Sequence, residues 1–516
     1  MSSPLLRRDL LKLLGAALPV GACATRPSPI TVVPAGVRFE HPRSEGELVA
    51  LVNRARREGV QLRVRGSLHS VGKAIWSDPG ARNINVQLDR YNRILRFDDA
   101  KKQVTVEAGI HLGIDPRDPG SNRENSLLYT LERRGWALPD LGGISHQTVG
   151  GFLSTGSAGG TVRYDVGESV CEIRVVAGDG KVYAFKPDPG DPDDERRNPF
   201  YAAGVSMGLL GILSTVTFQC IDRYDIIGRQ ITRSFAKSPV DLFGTRMGGL
   251  QRWMATTEYN RILVFPQADI ERVQFWSARR AEPHDRSILW SCGKYRAKPL
   301  QAMPQALQGI AYRIYEHVDR KEPPYDHATA QFMRDSLKLF LPDETEEFWD
   351  RWHVALPMDN PVSDRLMPTE FTELFLDIDK TADVMAELGA FWKNDRPMGR
   401  TGPFATEIYP ARTSKFWLAP SYGRDSVRID VFWFKTGQTD PDRRFYPQYW
   451  NLLQKFGMRF HWGKHLSAPD SATGPSYRRA QLPHWDDFLR ARERYDPDQI
   501  FVTAYWRKHL GIPNKT

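Results

Sequence analysis

Along "HPRSEGELVALVNRARREGVQLRVRG" the apolar residues Leu48, Val49, Leu51, Val52 and Ala55 recur at helical spacing and share one face. Ser44 with Glu47 fits a capping box, and Gly59 supplies a left-handed stop, so a helix is predicted between them. Val60, Leu62 and Val64 then alternate and predict a strand. "INVQLDRYNRILRFDDAKKQVTVEAGI" reads as short strands around a turn at Asp98-Asp99-Ala100. "CEIRVVAGDGKVYAF" reads as a hairpin turning at Asp179-Gly180, and "SMGLLGILSTVTFQC" ends as a strand. Residues 35–225 thus make one α+β unit, with 183–199 expected as a polar surface loop.

From about residue 226 Trp and Phe become frequent, and helical and strand patterns mix. "TADVMAELGAFWKN" is an amphipathic helix and "RIDVFWFK" a strand. No repeat or low-complexity tract interrupts the chain. The predicted fold class is α+β, with a second unit over 226–450 and a last segment over 451–516.

The 516 residues suffice for two or three domains. The net charge of +9 comes from scattered residues, 71 Lys and Arg against 62 Asp and Glu. No basic stripe or zinc-finger spacing is present, which argues against nucleic acid as a partner. The first 27 residues, with Arg7-Arg8, a short apolar run and small residues before Cys23, resemble a twin-arginine export signal. "VGAC" fits a lipobox that would lipidate Cys23, and "ACA" fits plain cleavage; both remain open. The expectation is an exported, periplasmic or membrane-anchored protein. Cys171, Cys220 and Cys292 allow at most one disulfide.

Two loops, 65–70 and 142–159, are rich in Gly, Ser and Thr. Converging backbone N–H groups bind phosphate, and glycine lets the backbone come close. The G-x-G-x-x-G and G-x-x-x-x-G-K-[ST] motifs are missing from the places that would support their nucleotide readings. The two loops together could instead clamp a pyrophosphate from two sides.

"RVRGSLHS", "LPDLGGISHQTVGGFLSTG" and "GLLGILSTVTF" stand in the order and spacing of the FAD-binding (PCMH-type) domain of vanillyl-alcohol-oxidase-type flavoproteins, which the chain resembles. "HWGKH" and "RYDPDQIFVTAYWRKHLG" are similar to the end of the aldonolactone oxidase and alditol oxidase branch. The resemblance implies a two-domain fold in which 35–225 holds FAD and 226–450 is a cap, an antiparallel sheet covered by helices. It implies that His69 carries FAD covalently through a ring nitrogen and the flavin 8α-methyl. It also implies that Arg65, Gly66, Ser67, Leu68, His69 and Ser70 line the pyrophosphate. Gly142, Gly143, Thr148, Gly151, Ser154 and Gly156 would line it from the second loop, and Ile212 would offer backbone to the nucleotide. Leu68 departs from the usual small residue, and Ala158-Gly159 from a usual His-Gly.

Oxidising an alcohol by flavin requires the C–H over N5 and an exit for the O–H proton. The resemblance implies that Lys464 is the cation aimed at substrate and flavin. The rival reading, zinc on His461 and His465, lacks the Glu of H-E-x-x-H and a third ligand, and no metal is expected. "ATEIYPARTSKFWLAPSYGRDSVRIDVFWF" resembles the alditol-oxidase segment that contains a Glu-x-Arg pair; Glu407 matches the first member, Tyr409 replaces the second, and Arg412 is out of register. Asp430 and Phe432 stand where polar substrate residues belong. Glu407 and Tyr409 are the further catalytic candidates. Backbone access for O2 is expected near Glu107 to Ile110.

The implied function is an exported FAD-dependent oxidoreductase acting on a CH–OH group of a sugar-derived alcohol or aldonolactone, with electrons passing to O2 or another acceptor. The alternatives are an oxidase of a bulky apolar alcohol such as a sterol, a carbohydrate-binding lipoprotein without chemistry, or a redox partner with an occluded pocket.

Overall fold

The computed structural model describes residues 38–285, 292–297, 323–360, 369–434 and 441–515. The export signal, with Arg7, Arg8 and Cys23, lies outside the described residues. The first helix, α1 (Glu45–Glu58), has the two ends its sequence requires. Ser44 Oγ accepts the Glu47 N–H at 3.2 Å, Glu47 accepts the Arg43 N–H at 2.8 Å, and Gly59 closes the helix with φ 61°. Leu48, Leu51, Val52 and Ala55 bury its inner face.

Strands β1 (Phe39–Glu40), β2 (Leu62–Arg65) and β3 (Ile84–Gln87) form a small parallel sheet in the order β1-β3-β2. Strands β4 (Ile94–Asp98), β5 (Gln103–Glu107), β7 (Val170–Ala177), β8 (Val182–Phe185) and β9 (Gly211–Gln219) form an antiparallel sheet in the order β4-β5-β9-β7-β8. The short strands β6 (Trp136–Ala137) and β10 (Ile221–Asp222) pair with each other. The β7–β8 hairpin turns at Gly180, φ 83°. The stretch 183–199 is not wholly a polar loop. It starts inside β8, and the buried Asp194 accepts from Tyr201 at 2.7 Å and from Asn198 at 2.6 Å.

An eight-stranded antiparallel sheet follows. Its strands are β11 (Asp225–Ser234), β12 (Tyr259–Phe265), β13 (Arg272–Arg280), β14 (Glu344–Arg351), β15 (Thr369–Asp377), β16 (Thr406–Ala411), β17 (Ser426–Phe434) and β18 (Arg459–Phe460), in the order β14-β11-β13-β12-β16-β17-β15-β18. Every residue of β12 and of β16 is buried, so both faces of the sheet are covered there. The helix Thr381–Trp392 packs Val384, Met385 and Leu388 into the same core as Leu374 and Leu376 of β15.

After β18 the chain runs back to the small sheet. The Leu62 N–H donates to Ile500 O at 2.8 Å, Arg63 Nη1 to Phe501 O at 3.1 Å, and Trp506 Nε1 to Ala74 O at 2.9 Å. Among the described residues no helix is long and apolar enough to cross a membrane.

Candidate active site

Strand β2 delivers the chain into the loop Gly66–Ser70, and Thr148 starts the short helix Val149–Ser154 opposite it, its Oγ1 accepting the Gly151 N–H at 3.2 Å. The two loops meet closely. A Cβ on Gly66 would stand 2.4 Å from Thr148 Oγ1, and one on Gly150 would stand 3.1 Å from Ala108 Cβ. Between them runs a narrow channel of two voids, about 90 and 40 Å³, which share Gly66, Ser70, Thr148, Gly151 and Thr155. Ser154 and Ile212 line the inner void, and Ser67, Leu68 and His69 the outer one. The channel opens past His69, Gln147 and Lys464 into a cavity of about 840 Å³. Gly142 and Gly143 form part of that cavity's wall.

Leu68 has φ 59°, the left-handed conformation that favours glycine. Leu68 therefore carries about 1–2 kcal/mol of backbone strain relative to glycine, and it keeps its N–H donor. Four residues differ from expectation. Gly142 and Gly143 border the large cavity and not the channel. Gly156 lines none of these spaces; its φ of 75° and a Pro420 Cδ that a Cβ would approach to 2.7 Å explain the glycine by packing. Arg65 borders the inner void, but its guanidinium lies 4.6 Å from the Phe39 ring centroid, and its Nη1 donates to Gly66 O at 3.4 Å.

His69 faces the channel and carries a cation on its ring. Arg117 Nη2 lies 2.7 Å from His69 Nε2. Burial, then the charge of Arg117, holds the His69 pKa well below its ordinary value, so the ring is neutral. Lys464 Nζ donates to the His69 carbonyl at 3.0 Å and stands 4.0 Å from the Phe371 ring centroid.

The cap sheet presents its polar residues in register. Glu407 of β16, Asp430 of β17 and Glu373 of β15 stand directly opposite one another on three adjacent strands, and all three line the cavity. In the neighbouring row Tyr409 is paired with Arg428, and on the other side Phe432 is paired with Phe371. Arg428 is clamped. Its Nη2 donates to Tyr409 Oη at 2.5 Å and meets Glu373 at 2.5 Å, and its Nη1 donates to Ala158 O at 2.7 Å. Tyr409 in turn donates to Asp430 at 3.3 Å. Arg261 of β12 bridges Glu407 at 3.0 Å and Asp359.

Three buried carboxyls this close cannot all ionise. Burial and the Asp359 charge push Glu407 up to about 8, against the pull of Arg261. Burial and the charge of Glu373 push Asp430 well above its usual range. Burial would raise Glu373 too, but Arg428, His461 and Lys464 outweigh it and pull it down. Burial and neighbouring charge therefore favour the protonated form at Glu407 and Asp430 and the ionised form at Glu373.

His461 and His465 serve different partners and do not converge. His461 Nδ1 accepts the Gly463 N–H at 3.1 Å, so its proton is on Nε2, 3.1 Å from Ser157 Oγ. His465 sits between Asp442 at 2.5 Å and Glu370 at 3.1 Å. Arg412 turns outward to Glu168 at 2.9 Å. The segment Glu107–Ile110 does not border the large cavity: Glu107 pairs with Arg93 at 2.7 Å, and only Ala108 touches the channel.

Sequence reasoning missed Glu373, Arg428, Arg261, Asp359 and Arg117. The signal for the first two was a charged residue alternating with apolar ones, as in "TEFTELFLD" and "SVRIDVFWF". Arg261 and Asp359 depended on strand order, and Arg117 on a loop path, which no local pattern carries.

The channel fits an extended dinucleotide whose phosphates pass between backbone-walled loops. The buried Gln147 Oε1, which lines the channel and has no partner among the described residues, fits a ligand that donates there. Residues 38–186 match the FAD binding domain family, and 216–509, more than half of the chain, match the D-arabinono-1,4-lactone oxidase family. L-gulonolactone oxidase of Mus musculus is 24% identical over 475 residues, covering 91% of this chain and 94% of that one. L-gulono-1,4-lactone dehydrogenase of Mycobacterium tuberculosis (strain ATCC 25618 / H37Rv) is 23% identical over 91% of this chain and 95% of its own. Among solved structures, cholesterol oxidase from B. sterolicum shares the fold with a TM-score of 0.68 at 14% identity, covering 92% of this chain and 94% of that one.

Fold and site define an FAD-dependent oxidoreductase with a PCMH-like FAD-binding fold and an antiparallel substrate-side sheet. Within that class the chain belongs to the D-arabinono-1,4-lactone oxidase family, whose members here are aldonolactone oxidases and dehydrogenases.

Proposed function

We propose that the protein oxidises a CH–OH group of a sugar-derived lactone or related polyol, with FAD joined to His69. The observation that carries this reading is the row Glu407–Asp430–Glu373 beside Arg428 and Lys464 on the cavity wall. Bound FAD supplies the two-electron acceptor for the hydride. Glu373, the ionised member, accepts the proton of the reacting hydroxyl. Glu407 and Asp430 keep their protons and donate to neighbouring hydroxyl or carbonyl oxygens of the substrate. The Lys464 ammonium stabilises the alkoxide character that develops as the O–H bond weakens. Arg428 acts through others: it fixes Glu373 and the Tyr409 hydroxyl in place. The aldonolactone names of the relatives support the substrate class, and they include oxidases and a dehydrogenase, so O2 and other acceptors are both tested below.

Phe371, Phe404, Phe432 and Leu263 favour a second reading, a substrate with a large apolar part such as a sterol. Anaerobic mixing of the purified protein with aldonolactones, alditols and sterols separates the two. Bleaching of the flavin by a lactone or alditol is expected, and bleaching by sterols alone would overturn the lactone reading. Reoxidation by air or by a dye then identifies the acceptor.

The attachment has its own test: His69→Ala should release FAD on denaturation, and flavin that still migrates with the denatured chain would place the bond elsewhere. Arg7-Arg8 and Cys23 further support export and a lipid anchor. An intact mass that begins at Cys23 and includes acyl chains is the expected result, and a mass that retains Met1 in the mature protein rejects it.

A further inference from the structure

Arg117 comes from the loop after β5 and belongs to neither glycine-rich loop. Besides His69 Nε2, its Nη2 donates to Ser67 O. Asp115, 4% exposed, aims the guanidinium: it accepts from Arg117 Nε at 3.1 Å and from the Arg117 backbone N–H at 3.0 Å. A guanidinium has no acceptor atom and keeps its protons, so Nε2 is the accepting nitrogen of the pair. A neutral imidazole carries one N–H, which leaves the His69 proton on Nδ1. Among the described residues, His146, Lys464 and His111 also act on the ring and lower its pKa in the same direction as Arg117.

We propose that Arg117 is the positioning residue for covalent attachment of the flavin. It occupies Nε2, directs the new bond to Nδ1, and stabilises the negative charge that builds on the ring as the Nδ1 proton leaves. Arg117 has this role only if FAD is joined to His69, the attachment proposed above. In the step a bond forms between Nδ1 and the 8α carbon, while one C–H bond of the methyl group and the Nδ1–H bond break. Two electrons and two protons leave in all, and dioxygen takes them up as hydrogen peroxide. Arg117 gives up no proton and emerges unchanged.

The full chain is produced with riboflavin as wild type, Arg117→Ala, Arg117→Gln and His69→Ala. Three quantities are followed: flavin held by the folded protein, the covalent fraction from intact mass over time, and the histidyl isomer in the flavin peptide by NMR. Wild type should carry an Nδ1 linkage. Arg117→Ala should hold FAD yet link it about a hundredfold more slowly, as loss of an electrostatic stabiliser does. Its residual adduct should shift towards Nε2, which a merely structural role would not cause. Arg117→Gln keeps an N–H donor without the charge, so it should keep the Nδ1 isomer and lose the rate. An Nε2 linkage in wild type, or wild-type linking rates in Arg117→Gln, overturns the role of Arg117. A wild type without covalent flavin, or a covalent adduct in His69→Ala, overturns instead the attachment at His69 on which it rests.

Discussion

Lys464 and Glu373 approach the cavity from different elements, and the charge of Lys464 helps to hold Glu373 ionised. Lys464 is tied to the loop that bears His69, and Glu373 is ionised because Arg428, His461 and Lys464 surround it. Lys464→Ala should slow flavin reduction by about 10²-fold, and unchanged stopped-flow reduction with the true substrate would remove it from the chemistry. Glu373→Gln should slow reduction by about 10²–10⁴-fold, with the KM changed far less, because the acceptor of the proton is lost while hydrogen bonding survives. Glu407, raised to about 8, donates only while protonated. Substrate KM should therefore rise as pH climbs through about 8, and Glu407→Gln should flatten that profile. Lys464 and Glu407 were legible as residues because each sits in a short recognisable stretch. Glu373 was not, because an ionised glutamate in a buried strand looks, in one sequence, like an exposed one.

The segment that carries Lys464 is held to β15 by more than backbone. His465 is clamped between Asp442 and Glu370, and it packs 5.1 Å from the Tyr446 ring. Burial alone would lower its pKa, but hydrogen bonds to Asp442 and Glu370 outweigh burial and raise it to about 9. The folded pKa lies above the ordinary 6.5, so folded His465 binds the proton more tightly than the unfolded chain does. Its stabilisation is full below pH 6.5 and is lost as pH rises through about 9, by up to about 3 kcal/mol. Tm measured at increasing pH should show this loss in wild type. Asp442→Asn should be destabilised in acid and shift the loss to lower pH; identical profiles would exclude the clamp. Helical and strand periods made α1, the β7–β8 hairpin and the helix Thr381–Trp392 readable. The pairing β16-β17-β15 was not, because register is set across the sheet and not along the chain.

The channel between the two glycine-rich loops is closed by the returning C-terminal segment. Trp462 and Trp506 wall its inner void, and Ile500 and Phe501 accept from Leu62 and Arg63 of the first unit. Trp506, 1% exposed, packs against Trp462 and donates to Ala74 O. Trp506→Ala should cost about 3–5 kcal/mol and loosen flavin binding, seen as a lower Tm and loss of unlinked flavin on gel filtration. A variant that melts and holds flavin like wild type would show that the return is dispensable. By itself the amino-acid order determined the α+β class and the two glycine-rich loops, and it singled out His69 and Lys464 as candidates, because these rest on local periodicity and on residues whose chemistry shows in a short motif. Only the tertiary structure decided which acid of the cap row stays ionised, which nitrogen of His69 is taken, and that Gly156 packs against Pro420. Charge balance, tautomer and steric contact depend on groups brought together from distant parts of the chain, and no one-dimensional pattern records that approach.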